Sequence, residues 1–134
     1  MSASNQGLVT VASEHAVSDS LDKLEARLRA LGITRFARID HAAGAAAAGL
    51  ELRPTQLLVF GNARAATPLM QADQRTGLDL PLKLLAWQDS AGRAWLTYND
   101  PGWIAERHGL GEPLAPAVAK LAEALTGLIS VAAH

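Results

Sequence analysis

The sequence predicts an α+β fold, in which an antiparallel-rich sheet of about five strands carries two longer helices packed mainly on one face. Five short segments are rich in β-branched and other apolar residues, which strands favour. Two longer segments repeat apolar residues at the spacing of one helix face. Residues 89–92 have the composition of a tight turn and separate the last two strand segments, so these strands are predicted to pair antiparallel.

The N-terminal half contains two predicted strands and two predicted helices. They are a strand over residues 7–13, a helix over 18–31, a strand over 33–40 and an Ala-rich helix over 41–48. Ser18 is predicted to cap the first helix, and Gly32 to end it. The apolar face of that helix consists of Leu21, Leu24, Leu28 and Leu31.

The C-terminal half contains three strands and three helices. They are a strand over residues 55–60, a helix from Thr67 to about Gly77, strands over 82–88 and 93–98, a helix over 103–108 and a helix from Pro113 onward. Thr67 followed by Pro68 is typical of a helix start, because Thr caps well and Pro lacks the N–H that the first turn cannot use. The last helix has one apolar seam, formed by Leu114, Val118, Leu121, Leu125 and Leu128.

Two of the predicted strands are apolar at consecutive positions. Residues 57–60 read Leu-Leu-Val-Phe, and residues 84–87 read Leu-Leu-Ala-Trp. Because consecutive side chains point to opposite faces of a sheet, both faces must be covered. Two long helices cover about one face of such a sheet, so the second face predicts a homodimer.

The composition fits one domain without cross-links. The chain has 134 residues, of which 49% are hydrophobic and 19% charged. We expect a single domain over residues 7–134, preceded by a flexible N-terminus over residues 1–6. The first residues lack the apolar run of a signal peptide, and no apolar stretch is expected to reach the roughly 20 residues of a membrane span. We therefore expect a soluble cytoplasmic protein without a membrane partner.

Charge and cysteine content exclude several classes of function. The formal net charge is −1, and basic residues do not cluster as nucleic-acid binding requires. The chain has no cysteine, which excludes thiolate catalysis and Cys-ligated metals. The histidines lack the spacing of a metal site. We predict no nucleic-acid partner, no metal site and no cofactor.

Five short motifs occur in an order known from one family. They are residues 36–45, 54–62, 67–70, 78–83 and 98–101. Together they resemble the bacterial and archaeal family known as domain of unknown function 302. The resemblance implies a compact α+β fold and frequent dimers, and it implies no established activity.

Asp40 and His41 are candidate catalytic residues. A histidine next to a carboxylate at a strand end can act as a general acid or base. The competing interpretation is structural, with His41 capping the Ala-rich helix or bonding a backbone carbonyl. A single His–Asp pair is a weak signal, so the structural interpretation is favoured.

The strand–loop–helix unit over residues 60–71 is a candidate anion site. A helix start presents free N–H groups and a positive dipole end, and Arg64 and the Thr67 hydroxyl can add to both. We therefore predict a possible small anionic ligand there, although most such turns only connect two elements. Further ligand-binding candidates are Arg38, Asn62 and Tyr98.

Three other polar residues are assigned structural roles. Asp79 and Lys83 flank Pro81 at a strand entrance, where an Asp most often accepts local backbone hydrogen bonds. His108 lies in the last turn of a short helix, where a cation is favourable without further function.

Three functions remain open at this point. The leading hypothesis is a dimeric small-molecule-binding or accessory protein, with its pocket where the end of strand 33–40 approaches the loop over 61–67. The second is an enzyme that uses His41 as acid or base and holds an anion near Thr67. The third is a protein-interaction module that uses the apolar second face of the sheet.

Overall fold

The sheet has five antiparallel strands in the order β1-β5-β4-β3-β2. The strands are β1 (Leu8–Ala12), β2 (Thr34–Asp40), β3 (Thr55–Gly61), β4 (Leu82–Gln88) and β5 (Ala94–Asn99). This computed structural model describes residues 6–134, so most of the predicted flexible N-terminus, residues 1–5, lies outside the described part. The prediction of an α+β fold with an antiparallel sheet of about five strands is confirmed.

Helices connect most of the strands and also follow the last strand. They are α1 (Val17–Leu31), α2 (His41–Ala47), α3 (Ala63–Ala72), α4 (Pro101–Arg107) and α5 (Ala115–Ala133), with 3-10 turns at Gln74–Leu78 and Glu112–Leu114. Helix α1 ends at Gly32 as predicted. Gly32 has a φ of 70° and donates its N–H to the carbonyl of Arg29, a left-handed ending that glycine adopts without steric cost.

The main core lies between one face of the sheet and the helices α1 and α5. Its buried members are Val17, Leu21, Leu24 and Leu28 of α1, Leu58, Phe60, Leu84, Ala86 and Leu96 of the strands, and Leu125, Leu128, Ile129, Ala132 and Ala133 of α5. Both long helices therefore pack on the same face, as predicted.

A second buried cluster lies at one end of the helix layer. Leu69 of α3 and Leu80 pack against Val118 and Leu121 of α5. This contact fixes α3 at the end of the sheet where β3 finishes and β4 begins.

The predicted start of α3 at Thr67 is wrong. The helix begins at Ala63, and the Asn62 side chain caps it by accepting a hydrogen bond from the Arg64 N–H at 2.8 Å. Pro68 lies inside the helix, where it leaves the carbonyl of Arg64, four residues earlier, without its helical partner. Arg64 is exposed, so solvent can reach that carbonyl.

The predicted cap of α1 is also wrong. The helix begins at Val17, its N-cap is Ala16, and no side chain caps it. Ser18 lies inside the first turn, and its hydroxyl accepts a hydrogen bond from Arg38 at 3.1 Å. The Ser18 hydroxyl, which the local sequence pattern predicts to cap the helix, therefore bonds a residue of strand β2 instead.

Helix α5 is more apolar than expected for this chain. The segment Glu112–Ala133 is long and apolar enough to cross a membrane by length and composition, contrary to the expectation above. Seven of its side chains are buried, among them Val118, Leu121 and Leu125, which pack in the two core clusters. Packing against α1, α3 and the sheet buries these side chains, and the other positions of the helix remain at least partly exposed.

Neither α1 nor α5 packs on the second face of the sheet. Its apolar members alternate with the core residues along the strands: Ile39, Leu57, Val59, Leu85, Trp87 and Trp95. We call this surface the open face. None of these side chains is fully buried, whereas their neighbours Leu58, Leu84 and Leu96 are.

Candidate functional site

An apolar cavity lies at the end of the sheet where β3 leads into α3. Its volume is about 190 Å³. The lining residues are Phe36, Gly61, Asn62, Ala63, Ala66, Thr67, Met70, Leu80, Pro81, Leu82 and Leu121. We call it the α3 cavity. Two of the predicted ligand-binding residues, Asn62 and Thr67, therefore line the same space.

Small residues keep the α3 cavity open. A Cβ added to Gly61 would lie 3.4 Å from Cβ of Pro81 and 3.7 Å from Cε2 of Phe36. Phe36 is 55% exposed as a residue and also lines the cavity, so it contacts both cavity and solvent. The described lining contains no titratable side chain, so the geometry suits binding of an apolar molecule better than acid–base chemistry.

A cluster of polar residues lies at the same end of the sheet. The Asp79 carboxylate accepts hydrogen bonds from Arg107 Nη1 at 3.0 and 3.1 Å. The same carboxylate lies 2.7 Å from His108 Nε2. Lys83 Nζ donates to the carbonyls of Asp79 and Pro81 at 3.3 and 3.0 Å. Partial burial lowers the pKa of Lys83, and the charge of Asp79 opposes that effect. We call Asp79, Lys83, Arg107 and His108 the Asp79 cluster.

A second ion pair lies near the Asp79 cluster. Arg75 donates from Nε and Nη2 to the two carboxylate oxygens of Asp73, at 3.1 and 2.8 Å. These bonds, with the Arg75 backbone N–H, lower the pKa of Asp73 to about 2. Asp73 thereby remains a carboxylate, and it fixes the guanidinium of Arg75 beside the 3-10 turn.

Asp40 and His41 lie away from both places. Asp40 pairs with Gln56 at the start of β3, whereas Thr34 pairs with Gly61 at its end. At about 3.4 Å per residue, the five steps between Gln56 and Gly61 separate the two ends by roughly 17 Å. The prediction that the end of strand 33–40 approaches the loop over 61–67 is therefore wrong, because antiparallel pairing sends these segments to opposite ends of the sheet.

The Asp40 side chain has a structural role, as the N-cap of α2. Its Oδ1 accepts a hydrogen bond from the Ala43 N–H at 2.9 Å and so caps α2. His41 is exposed at the first position of that helix, and its ring makes no hydrogen bond to a described residue. The two side chains do not form a hydrogen-bonded pair.

The remaining predicted ligand-binding residues are dispersed. Arg38 ties β2 to α1 through Asp22 at 2.7 Å and to β3 through Gln56 at 3.0 Å. Arg64 is exposed, and it contributes its backbone N–H to the Asn62 cap. Tyr98 packs against the main core, away from the α3 cavity.

Two of the comparisons with known proteins identify the family. A family model described as a domain of unknown function, DUF302, matches residues 9–128. The chain belongs to the DUF302 family. A crystal structure of an uncharacterized DUF302 protein from Bacillus stearothermophilus superimposes on the DUF302 domain described here with a TM-score of 0.81. The match covers 94% of this chain and 98% of the other at 19% identity, which establishes the shared fold.

Two curated relatives carry a functional name. Proteins named fluoride-specific ion channel FluC 1, from Brucella suis and Brucella abortus, are each 50% identical to this DUF302 domain over 107 residues. The match covers 80% of this chain but 42% and 40% of those proteins. The chain thus spans about two fifths of the curated relatives that it matches.

Sequence reasoning grouped Asp79 with Lys83 in this DUF302 domain but missed the contacts of Asp79 with Arg107 and His108. Asp79 and His108 are 29 positions apart and belong to different elements. Each residue on its own had a sufficient structural explanation, and no spacing rule connects them. Among residues 6–134 no group of three potential metal ligands forms.

Proposed function

We propose that this DUF302 domain is a homodimeric small-molecule-binding module whose ligand occupies the α3 cavity. The observation that carries the proposal is the apolar lining of that cavity, which includes Met70, Pro81 and Leu121. Asn62 and Thr67 are the lining residues with polar side chains. Apolar walls with a few polar groups are the usual composition of a small-molecule site.

The size of the cavity limits the ligand. A buried cavity of about 150 Å³ accommodates benzene, so a volume of 190 Å³ suits a molecule with a single ring or a short branched chain. One hydroxyl or carbonyl on such a molecule can bond Asn62 or Thr67. The ligand is therefore mainly apolar, rather than the anion that the start of α3 suggested.

Filling the cavity should remove binding without unfolding the domain. Benzyl alcohol, which has one ring and one hydroxyl, should bind with a dissociation constant of about 1 mM. Ala66→Leu places a larger side chain into the cavity and should raise that constant at least about tenfold. The measurement is titration by NMR, with the methyl group of Met70 as the reporter.

The same helix offers a matched control. Ala72 is exposed on α3 and does not line the cavity, so Ala72→Leu should bind benzyl alcohol as the parent does. A parent protein without saturable shifts would contradict the proposal, as would an Ala66→Leu variant with unchanged affinity.

A second copy of the chain is the proposed cover of the open face. Ile39, Leu57 and Leu85 pair across three neighbouring strands, so the apolar surface is continuous. Trp87 and Trp95 stack beside this row with ring centroids 6.3 Å apart. Monomers rarely expose a large contiguous apolar patch, and a two-fold pairing buries a self-complementary one.

The Brucella relatives favour a second candidate, an accessory domain of a membrane channel. A sheet with two uncovered edge strands leaves backbone groups unpaired, which hydrocarbon does not tolerate. We infer that the region shared with those relatives is not a pore. Their channel activity is accordingly not proposed for this chain alone.

Vesicle assays can test this inference. Liposomes loaded with fluoride and incubated with the purified DUF302 domain should release fluoride no faster than protein-free liposomes, as read by a fluoride electrode. A Brucella relative reconstituted in the same vesicles is the positive control. Faster release with the domain alone would contradict the inference.

A further inference from the structure

A concave surface lies between the 3-10 turn Gln74–Leu78 and the end of α4. Its lining residues are Arg75, Leu78, Arg107 and His108. Three of the four are basic, and the fourth, Leu78, is at 75% the most exposed of the large apolar residues within 6–134. This surface is separate from the α3 cavity, with which it shares no lining residue.

Each basic side chain is oriented by a carboxylate and retains further hydrogen-bonding groups. Arg75 uses Nε and Nη2 on Asp73, which leaves Nη1. Arg107 uses Nη1 on Asp79, which leaves Nε and Nη2. His108 uses Nε2 on Asp79, which leaves Nδ1. None of these remaining nitrogens bonds a residue within 6–134. The free guanidinium N–H groups of Arg75 and Arg107 are therefore available to an anionic ligand, whereas Nδ1 of a neutral His108 that donates from Nε2 is an acceptor.

Packing holds this end of α4 in position. The Arg107 guanidinium lies over the Trp103 ring, 5.6 Å from its centroid. The Trp103 ring in turn lies against Gly7, where an added Cβ would be 2.3 Å from Cγ of the tryptophan. The side chain of His108 is only 8% exposed. Two of the three basic groups are thus preorganised, which reduces the entropy that a ligand must offset.

The charges favour an anion. Arg75, Arg107 and Lys83 carry three positive charges, and Asp73 and Asp79 carry two negative charges. The balance is positive even with His108 neutral. A guanidinium bonds a carboxylate through two parallel N–H groups, and the exposed Leu78 can contact an apolar group attached to that carboxylate.

We propose that Arg75 and Arg107, beside His108, bind the carboxylate of a small organic acid whose apolar part lies on Leu78. This site is independent of the α3 cavity and of the proposed function. The two sites can therefore be tested separately in the same protein.

Benzoate is the probe, and acetate, which has a carboxylate but no ring, is the comparison ligand. At low ionic strength, benzoate should shift the NMR signals of His108 and Arg107 saturably, with a dissociation constant in the millimolar range. Acetate should bind more weakly, because it lacks a group to contact Leu78. The absence of saturable benzoate shifts up to about 50 mM would overturn the proposal.

Substitutions at Arg75 and Asp73 separate a site from general charge attraction. Arg75→Gln should weaken benzoate binding about three- to fivefold, the effect of one exposed charge-assisted contact. Asp73→Asn keeps the Oδ1 acceptor for the Arg75 N–H but removes the competing charge, so it should strengthen binding about twofold or more. Arg93→Gln, at the β4–β5 turn, is the control and should leave the affinity unchanged. Equal losses in Arg75→Gln and Arg93→Gln would overturn the proposal.

Discussion

Replacing Leu24 by alanine should lower the free energy of unfolding by about 2–5 kcal/mol. Leu24 is 0% exposed on the inner face of α1 and belongs to the main core, which also contains Leu58, Leu84 and Leu125. The loss combines the transfer energy of the removed methyl groups with the cavity left between helix and sheet. Chemical denaturation followed by circular dichroism measures the difference.

Leu31 is the matched control on the same helix. It is 50% exposed in the last turn of α1, so Leu31→Ala should change stability by no more than about 0.5 kcal/mol. A loss below about 1 kcal/mol in Leu24→Ala would show that this face of α1 does not form the core.

Leu85→Asp should convert the proposed homodimer into a monomer. Leu85 lies at the centre of the open face, paired with Leu57 on one side and Thr97 on the other. An unpaired carboxylate buried in an interface costs several kcal/mol, so the dissociation constant should rise at least about 100-fold. Light scattering after size exclusion should give twice the 14.1 kDa chain mass for the parent and 14.1 kDa for the variant.

Leu31→Asp places the same charge on the helix side of the sheet and should leave the dimer intact. Circular dichroism of the Leu85→Asp variant checks that the monomer remains folded. A parent protein that stays at 14.1 kDa as its concentration rises would contradict the dimer.

The sequence by itself determined the order and type of the main elements. The leucine spacing of α1 and the stop at Gly32 are local signals, and the structure follows both. The consecutive apolar residues of β3 and β4 also indicated that both sheet faces are apolar. These predictions succeeded because helix periodicity, strand alternation and glycine conformations depend on residues within one or two turns of each other.

Local signals failed where two of them compete. Asn62 and Thr67 are both good helix caps, and Thr67 is followed by a proline that suits a first turn. In the structure α3 begins at Ala63, and Ala65 and Leu69 both lie in the cluster that contains Val118 and Leu121 of α5. Burial of apolar side chains is favourable and a proline inside a helix is not, and the structure contains both.

The placement of the candidate sites was decided by the tertiary structure alone. Antiparallel register separates His41 from the α3 cavity by the length of β3, although both follow strands in the sequence. Chain folding brings His108 to within 2.7 Å of Asp79 across 29 positions. Composition and spacing describe what a residue does near its neighbours in sequence, whereas a site is formed by residues that packing and strand pairing bring together from distant segments.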